Sequence, residues 1–154
     1  DYYASRGLGD VYKRQYICNS RPRRFGKSYA ANMLAAYYSK GADSEKMFSE
    51  LEIGKNEDFK KHLNKYDVIH IDIQWFLANC DDVDNVVKHI AEAVLDELRV
   101  AYPGILPPEI FSFPDALSRI KDKTGQKFIV IVDEWDVLIR DEAANKKAQE
   151  DYFL

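Results

Sequence analysis

Arg21-Pro22-Arg23-Arg24-Phe25-Gly26-Lys27-Ser28 is the stretch on which the reading of the fold turns. It follows a short apolar lead-in, Tyr16-Ile17-Cys18-Asn19, and opens an alanine-rich run from Lys27 to about Ser39. Strand, basic turn, helix is the order of a phosphate-binding loop, whose usual pattern is Gly, four residues, then Gly-Lys-Ser/Thr. Gly26, Lys27 and Ser28 stand where that pattern wants them, while Arg21 occupies the first glycine position. The chemistry still works. A glycine lets the backbone approach a phosphate, and the amides that follow point at it from a helix N-terminus, where the dipole favours an anion. Lys27 can reach terminal phosphates, and the Ser28 hydroxyl can ligate Mg²⁺. Taken alone the pattern is incomplete, and a solvated basic turn ahead of a helix is the competing reading.

A second stretch shifts that balance. Phe128-Ile129-Val130-Ile131-Val132 is an unbroken apolar run that ends in Asp133-Glu134. Five large apolar residues in a row predict a strand buried on both faces, as in a parallel sheet covered by helices. Carboxylates at its C-terminal end lie where open α/β sheets bind their ligands. This is the form of a Walker B element, in which Asp133 holds the magnesium shell and Glu134 polarises a water.

The two motifs together resemble the predicted AAA-ATPase-like family of bacteria and archaea. The octapeptide RPRRFGKS is that family's own form of the loop, arginine included, and Asp133-Glu134-Trp135-Asp136 resembles its Asp-Glu-Tyr-Asp signature with Trp135 for the tyrosine. The resemblance spans about residues 16–154. It implies a P-loop NTPase of the α/β class, an AAA-like three-layer core with a parallel sheet, and MgATP as ligand. Nucleotide contacts then fall on Arg23, Arg24, Phe25, Gly26, Lys27, Ser28 and Tyr29. Ser28 and Asp133 fall to the metal, and Lys27 and Glu134 to catalysis. Members are often joined to a C-terminal nuclease-like domain of the PD-(D/E)XK type, which leaves a nucleic-acid or protein partner open. Related ATPases place a later strand between the phosphate-loop strand and the Walker B strand. The core is therefore expected to be truncated at both ends in this stretch of 154 residues, and the stretch alone to be inactive.

Composition fits such a domain. The chain is 46% apolar and 31% charged, ordinary for a globular protein, and long enough for a real core. A net charge of −4 argues against general polyanion binding, so basic chemistry is focused at Arg21, Arg23 and Arg24. Cys18 and Cys80 lie far apart with no metal-ligand spacing, as expected of idle thiols in a reducing cytoplasm. No run approaches the ~18 apolar residues of a membrane helix. Residues 1–15 show no sustained periodicity, and RGLGDVYKRQ within them resembles translated sequencing-adapter DNA. They are expected to lie outside the fold, as an artefact or a disordered leader.

Elsewhere the spacing predicts one or two helical turns over residues 44–51 and a short helix over 56–65. Residues 68–73, VIHIDI, read as a strand with isoleucines on one face and His70 and Asp72 on the other, a polar outer face of an edge strand. Residues 75–82 read as a loop, with Asp81 or Asp82 capping the clearest helix of the chain, residues 83–101. His89 is placed on that helix's exposed side without a function, and Tyr37 and Tyr38 are placed as partly exposed core aromatics. Pro114 fits the first turn of a helix that Gly125 stops. Residues 141–154 are polar and expected to be helical.

These pieces favour ATP binding and hydrolysis by an activated water. A nucleotide-dependent interaction switch with little turnover and a P-loop phosphotransferase are the alternatives. Asp136, His70 and Asp72 receive no firm role.

Overall fold

The computed structural model describes residues 17–19, 26–80 and 85–140. The expectations for residues 1–15, Arg23, Arg24, Phe25, Asp81, Asp82 and residues 141–154 lie outside these. Residues 17–19 are exposed, and Ile17 takes part in an isolated β-bridge.

Helix α1, Lys27–Tyr38, starts at Gly26 in the left-handed conformation and ends as the Ser39 N–H reaches the Ala35 carbonyl. Its alanines suit close packing, and it lies against both strands of the sheet. Three short pieces follow: α2, Glu45–Ser49, a 3₁₀ turn at Glu52–Lys55, and α3, Phe59–His62. None is long enough to persist alone, and tertiary contacts hold them. Tyr37, Phe48, Phe59 and Leu63 form a small buried cluster. The Tyr37 ring meets Phe48 edge-on with centroids 5.3 Å apart, and its hydroxyl donates to the Phe59 carbonyl at 2.8 Å. Tyr37 is thus fully buried rather than partly exposed, because its one polar atom has a partner.

Asn64 closes this unit. At φ 53° its side-chain amide donates to the carbonyls of Ala36 at 3.1 Å, Tyr37 at 3.3 Å and Ser39 at 3.1 Å. Those carbonyls are the ones a helix C-terminus leaves without partners. The Ser44 hydroxyl adds a bond to the Ala36 carbonyl at 2.9 Å.

Strand β1, Asp67–Asp72, and strand β2, Phe128–Asp133, form the described sheet, parallel and in register from Asp67 opposite Phe128 to Asp72 opposite Asp133. A parallel pair needs a long crossover, and helices supply it here. These are α4, Ile73–Ala78, α5, Val86–Ala101, and α6, Phe113–Thr124. Helix α7, Val137–Arg140, follows β2. Val86, Val94, Leu95 and Leu98 of α5, Ala116 and Ile120 of α6, Ile71, Ile73, Leu106, Val137 and Leu138 make up the larger core. Helix α6 matches expectation at both ends: Ser112 caps it, Pro114 lies in its first turn, and Gly125 stops it at φ 73°.

Two expectations are corrected. Residues 75–82 are not all loop, because Asp72 accepts from the Trp75 N–H at 3.0 Å and starts α4 directly from the strand. Strand β2 is not buried on both faces: Val130 and Val132 are each 41% exposed. By register they share a face with Ile69 and Ile71 of the larger core, yet the core covers β2 less completely than β1 there. The result is an α/β arrangement with a small parallel sheet.

Candidate functional site

The C-terminal end of β2 turns abruptly. Glu134 sits at φ 51°, a left-handed conformation that costs a side-chain-bearing residue about 1 kcal/mol or more. Its N–H donates to Asp133 Oδ1 at 2.9 Å, and its carbonyl accepts from the Val137 N–H at 3.0 Å. Together these bonds fold the chain back into α7, which the fully buried Leu138 pins to the core. Asp133 and Glu134 are half-buried at the sheet's C-terminal edge, and Asp72 is Asp133's register partner on β1. Among the described residues, Asp133 Oδ2 remains available as a hard oxygen donor, the kind Mg²⁺ selects.

The start of α1 is bare. Gly26 adopts φ 73° and ψ 28°, no side chain caps the helix, and no acidic residue occupies its first turn. Among the described residues no side-chain anion meets its first N–H groups or the positive end of its dipole. Lys27 is half-buried, and Ser28 and Tyr29 are exposed. A Cβ built on Gly26 meets nothing within 4 Å, so this glycine is required by its backbone angle and not by crowding.

Of the residues singled out from the sequence, Gly26, Lys27, Ser28 and Tyr29 thus share one helix start. Asp133 and Glu134 share one strand end, on an element that α1 packs against. His70 and Asp72 both point outward on β1, as expected, and Asp72 has a local duty as the cap of α4. His89 is exposed, as expected, and its Nδ1 lies 3.0 Å from Cys80 Sγ, a contact between α5 and the segment after α4 that spacing did not reveal. No group of three or more His, Cys, Asp or Glu side chains is gathered for a metal among the described residues. Nor does any described helix have the length and apolar character to cross a membrane.

The glycine-led helix start and the acidic strand end thus belong to two elements that pack against each other in an α/β arrangement. The chain matches the family described as predicted AAA-ATPase over residues 10–153, nearly its whole length, and it belongs to that family. No curated protein and no solved structure matches it.

Proposed function

We propose that the protein binds MgATP at the start of α1 and hydrolyses it at the end of β2, as a P-loop ATPase of the AAA-like, three-layer kind. The observation carrying this reading is the uncapped start of α1, led by a left-handed Gly26 and followed by Lys27 and Ser28. The residues present fit both parts of the ligand: open amides and an ammonium for phosphate, a hydroxyl and a carboxylate for a hard cation.

In this mechanism the amides after Gly26 and the Lys27 ammonium hold the phosphates and offset their charge. Ser28 and Asp133 would hold Mg²⁺, which would supply positive charge against the phosphates. Glu134 orients the attacking water and accepts its proton, a task of placement rather than covalent chemistry. Arg23, Arg24, Phe25 and Tyr29 line the nucleotide's approach in the same reading. What the hydrolysis drives, including any work with a nuclease-like domain or a nucleic acid, belongs to the same proposal and rests on the family alone.

Titration of ATP into the full chain and its Lys27→Ala variant tests the binding step. Loss of the ammonium removes one or two charge-assisted hydrogen bonds of about 1.5–3 kcal/mol each, so affinity falls at least tenfold. Unchanged affinity in a folded variant removes the phosphate-loop reading.

A further inference from the structure

The outer edge of β1 is open among the described residues. β1 pairs with β2 on one side only, and no described residue forms a ladder with its other side. Such an edge presents a row of N–H and C=O groups ready to pair with another chain. Alongside it, between β1 and α5, runs a groove of about 440 Å³ that extends the whole length of the strand from Asp67 to Asp72. A six-residue strand spans about 20 Å, the room an added extended segment needs.

The groove's chemistry selects its occupant. Its charged lining residues besides His70 are Asp67, Asp72 and Glu97, and no lysine or arginine is among them. Asp67, at one end, is already engaged by Lys40 Nζ at 2.7 Å and by the Tyr102 hydroxyl. Glu97 on α5 is exposed and carries no ion pair among the described residues, and Asp72 accepts only the Trp75 amide. Trp75 stands 58% exposed at the far end, a large apolar surface beside these carboxylates. An acidic groove repels nucleic acid. It also repels a second copy of a chain whose net charge is −4.

We propose that this groove is a docking site for an extended, lysine- or arginine-bearing segment of a partner protein, which joins β1 as an additional strand. Backbone pairing supplies the affinity, and alternate side chains of the added strand set the specificity. One row of its side chains faces α5, where basic groups meet Glu97, and the end of the strand reaches Asp72 and Trp75. The proposal does not depend on nucleotide binding, since neither Lys27 nor Glu134 lines the groove.

The test uses the full chain and fluorescein-labelled nonapeptides read by anisotropy. One peptide alternates valine and lysine, one alternates valine and glutamate, and one carries the first peptide's residues as a lysine block followed by a valine block. The alternating lysine peptide is expected to bind saturably, and at least tenfold more tightly than the other two. Glu97→Lys and, independently, Ala101→Trp, which fills the groove from the end of α5, are each expected to weaken it at least tenfold with circular dichroism unchanged. Equal binding by the block peptide would reduce the effect to charge and overturn strand addition. Equal binding by wild type and both variants would place the peptide elsewhere. Absence of peptide binding, with self-association in sedimentation that Glu97→Lys abolishes, would give the edge to a second copy and also overturn the proposal.

Discussion

Asp72 and Asp133 are register partners at the C-terminal ends of two adjacent parallel strands. Two carboxylates so placed have different duties. Asp72 turns its oxygen to the Trp75 amide and starts α4, while Asp133 turns one oxygen to the Glu134 amide and starts the return into α7. The same residue type at the same level of the sheet thus serves as a helix cap on one strand and as the anchor of a tight return on the next. Their separation by duty can be measured.

Asp72→Asn keeps an oxygen that can cap α4, so its denaturation midpoint stays near wild type. Asp72→Ala loses the cap, at about 1 kcal/mol. Chemical denaturation distinguishes the two. Equal destabilisation by both would show that the charge, and not the cap, matters at this position.

Glu134→Gln retains shape and hydrogen bonding but accepts no proton. ATP binding is expected to stay near normal while turnover falls at least tenfold, a barrier increase of about 1.4 kcal/mol. Asp133→Asn instead weakens the magnesium dependence of binding. Phosphate release measured beside ATP titration separates these outcomes, and equal turnover by wild type and Glu134→Gln would strip Glu134 of its role.

Asn64 is the tie of the smaller cluster. Asn64→Asp keeps the size but cannot donate to three carbonyls, and Asn64→Ala loses every side-chain bond. Each is expected to destabilise by about 2 kcal/mol or more, since several bonds worth about 1 kcal/mol fall together. Thermal melts that differ from wild type by less than a degree would contradict this.

Two glycines behave oppositely on replacement. Gly26→Ala meets open space and pays only for its left-handed angle, about 1 kcal/mol. Gly54→Ala puts a methyl 2.3 Å from the Ser49 carbonyl oxygen, so backbone must move, at about 1–3 kcal/mol. The midpoint of Gly54→Ala is expected to be the lower of the two.

Alkaline pH attacks the Tyr102–Asp67 contact. Burial, then the hydrogen bond and the negative charge of Asp67, push the Tyr102 phenol well above its ordinary value of 10. Burial, with smaller effects of Tyr38, Tyr66 and Asp58, also raises Tyr37. The unfolded chain therefore loses these protons first, so the folded state binds more protons above pH 10 and stability falls there. The contribution is complete below pH 10 and disappears as pH rises through the folded values. Denaturation midpoints measured from pH 8 to 11 should decline beyond 10, with a shallower slope in Tyr102→Phe.

The elements with strong local signals were legible in the chain. Helix α5 showed its apolar spacing, α6 its Pro114 and its Gly125 stop, and β2 its apolar run. Helix α4 was not, because Ile73, Trp75, Phe76 and Leu77 are apolar on all sides and give no helical period. Its true signal was Asp72, which looked like one more polar strand residue. The half-exposure of Val130 and Val132 was hidden for another reason: an apolar run reports what a strand can bury, not what lies beside it. Pattern alone singled out Gly26, Lys27, Ser28, Asp133 and Glu134 as the candidates for the proposed site. The left-handed angle at Glu134 was not, since glutamate carries no preference for it.

The two hydrophobic clusters give this arrangement a mechanical character. The helix bearing Lys27 and Ser28 ends in the smaller cluster through Tyr37, whereas β2, which ends in Asp133, leads into Val137 and Leu138 of the larger. The start of α1 and the end of β2 are thus rooted in separate cores, and their spacing depends on how α1 rides on the sheet. A ligand touching both ends joins the two cores as a rivet joins two plates, and its loss lets the smaller plate loosen first, since four buried side chains hold it against eleven in the other.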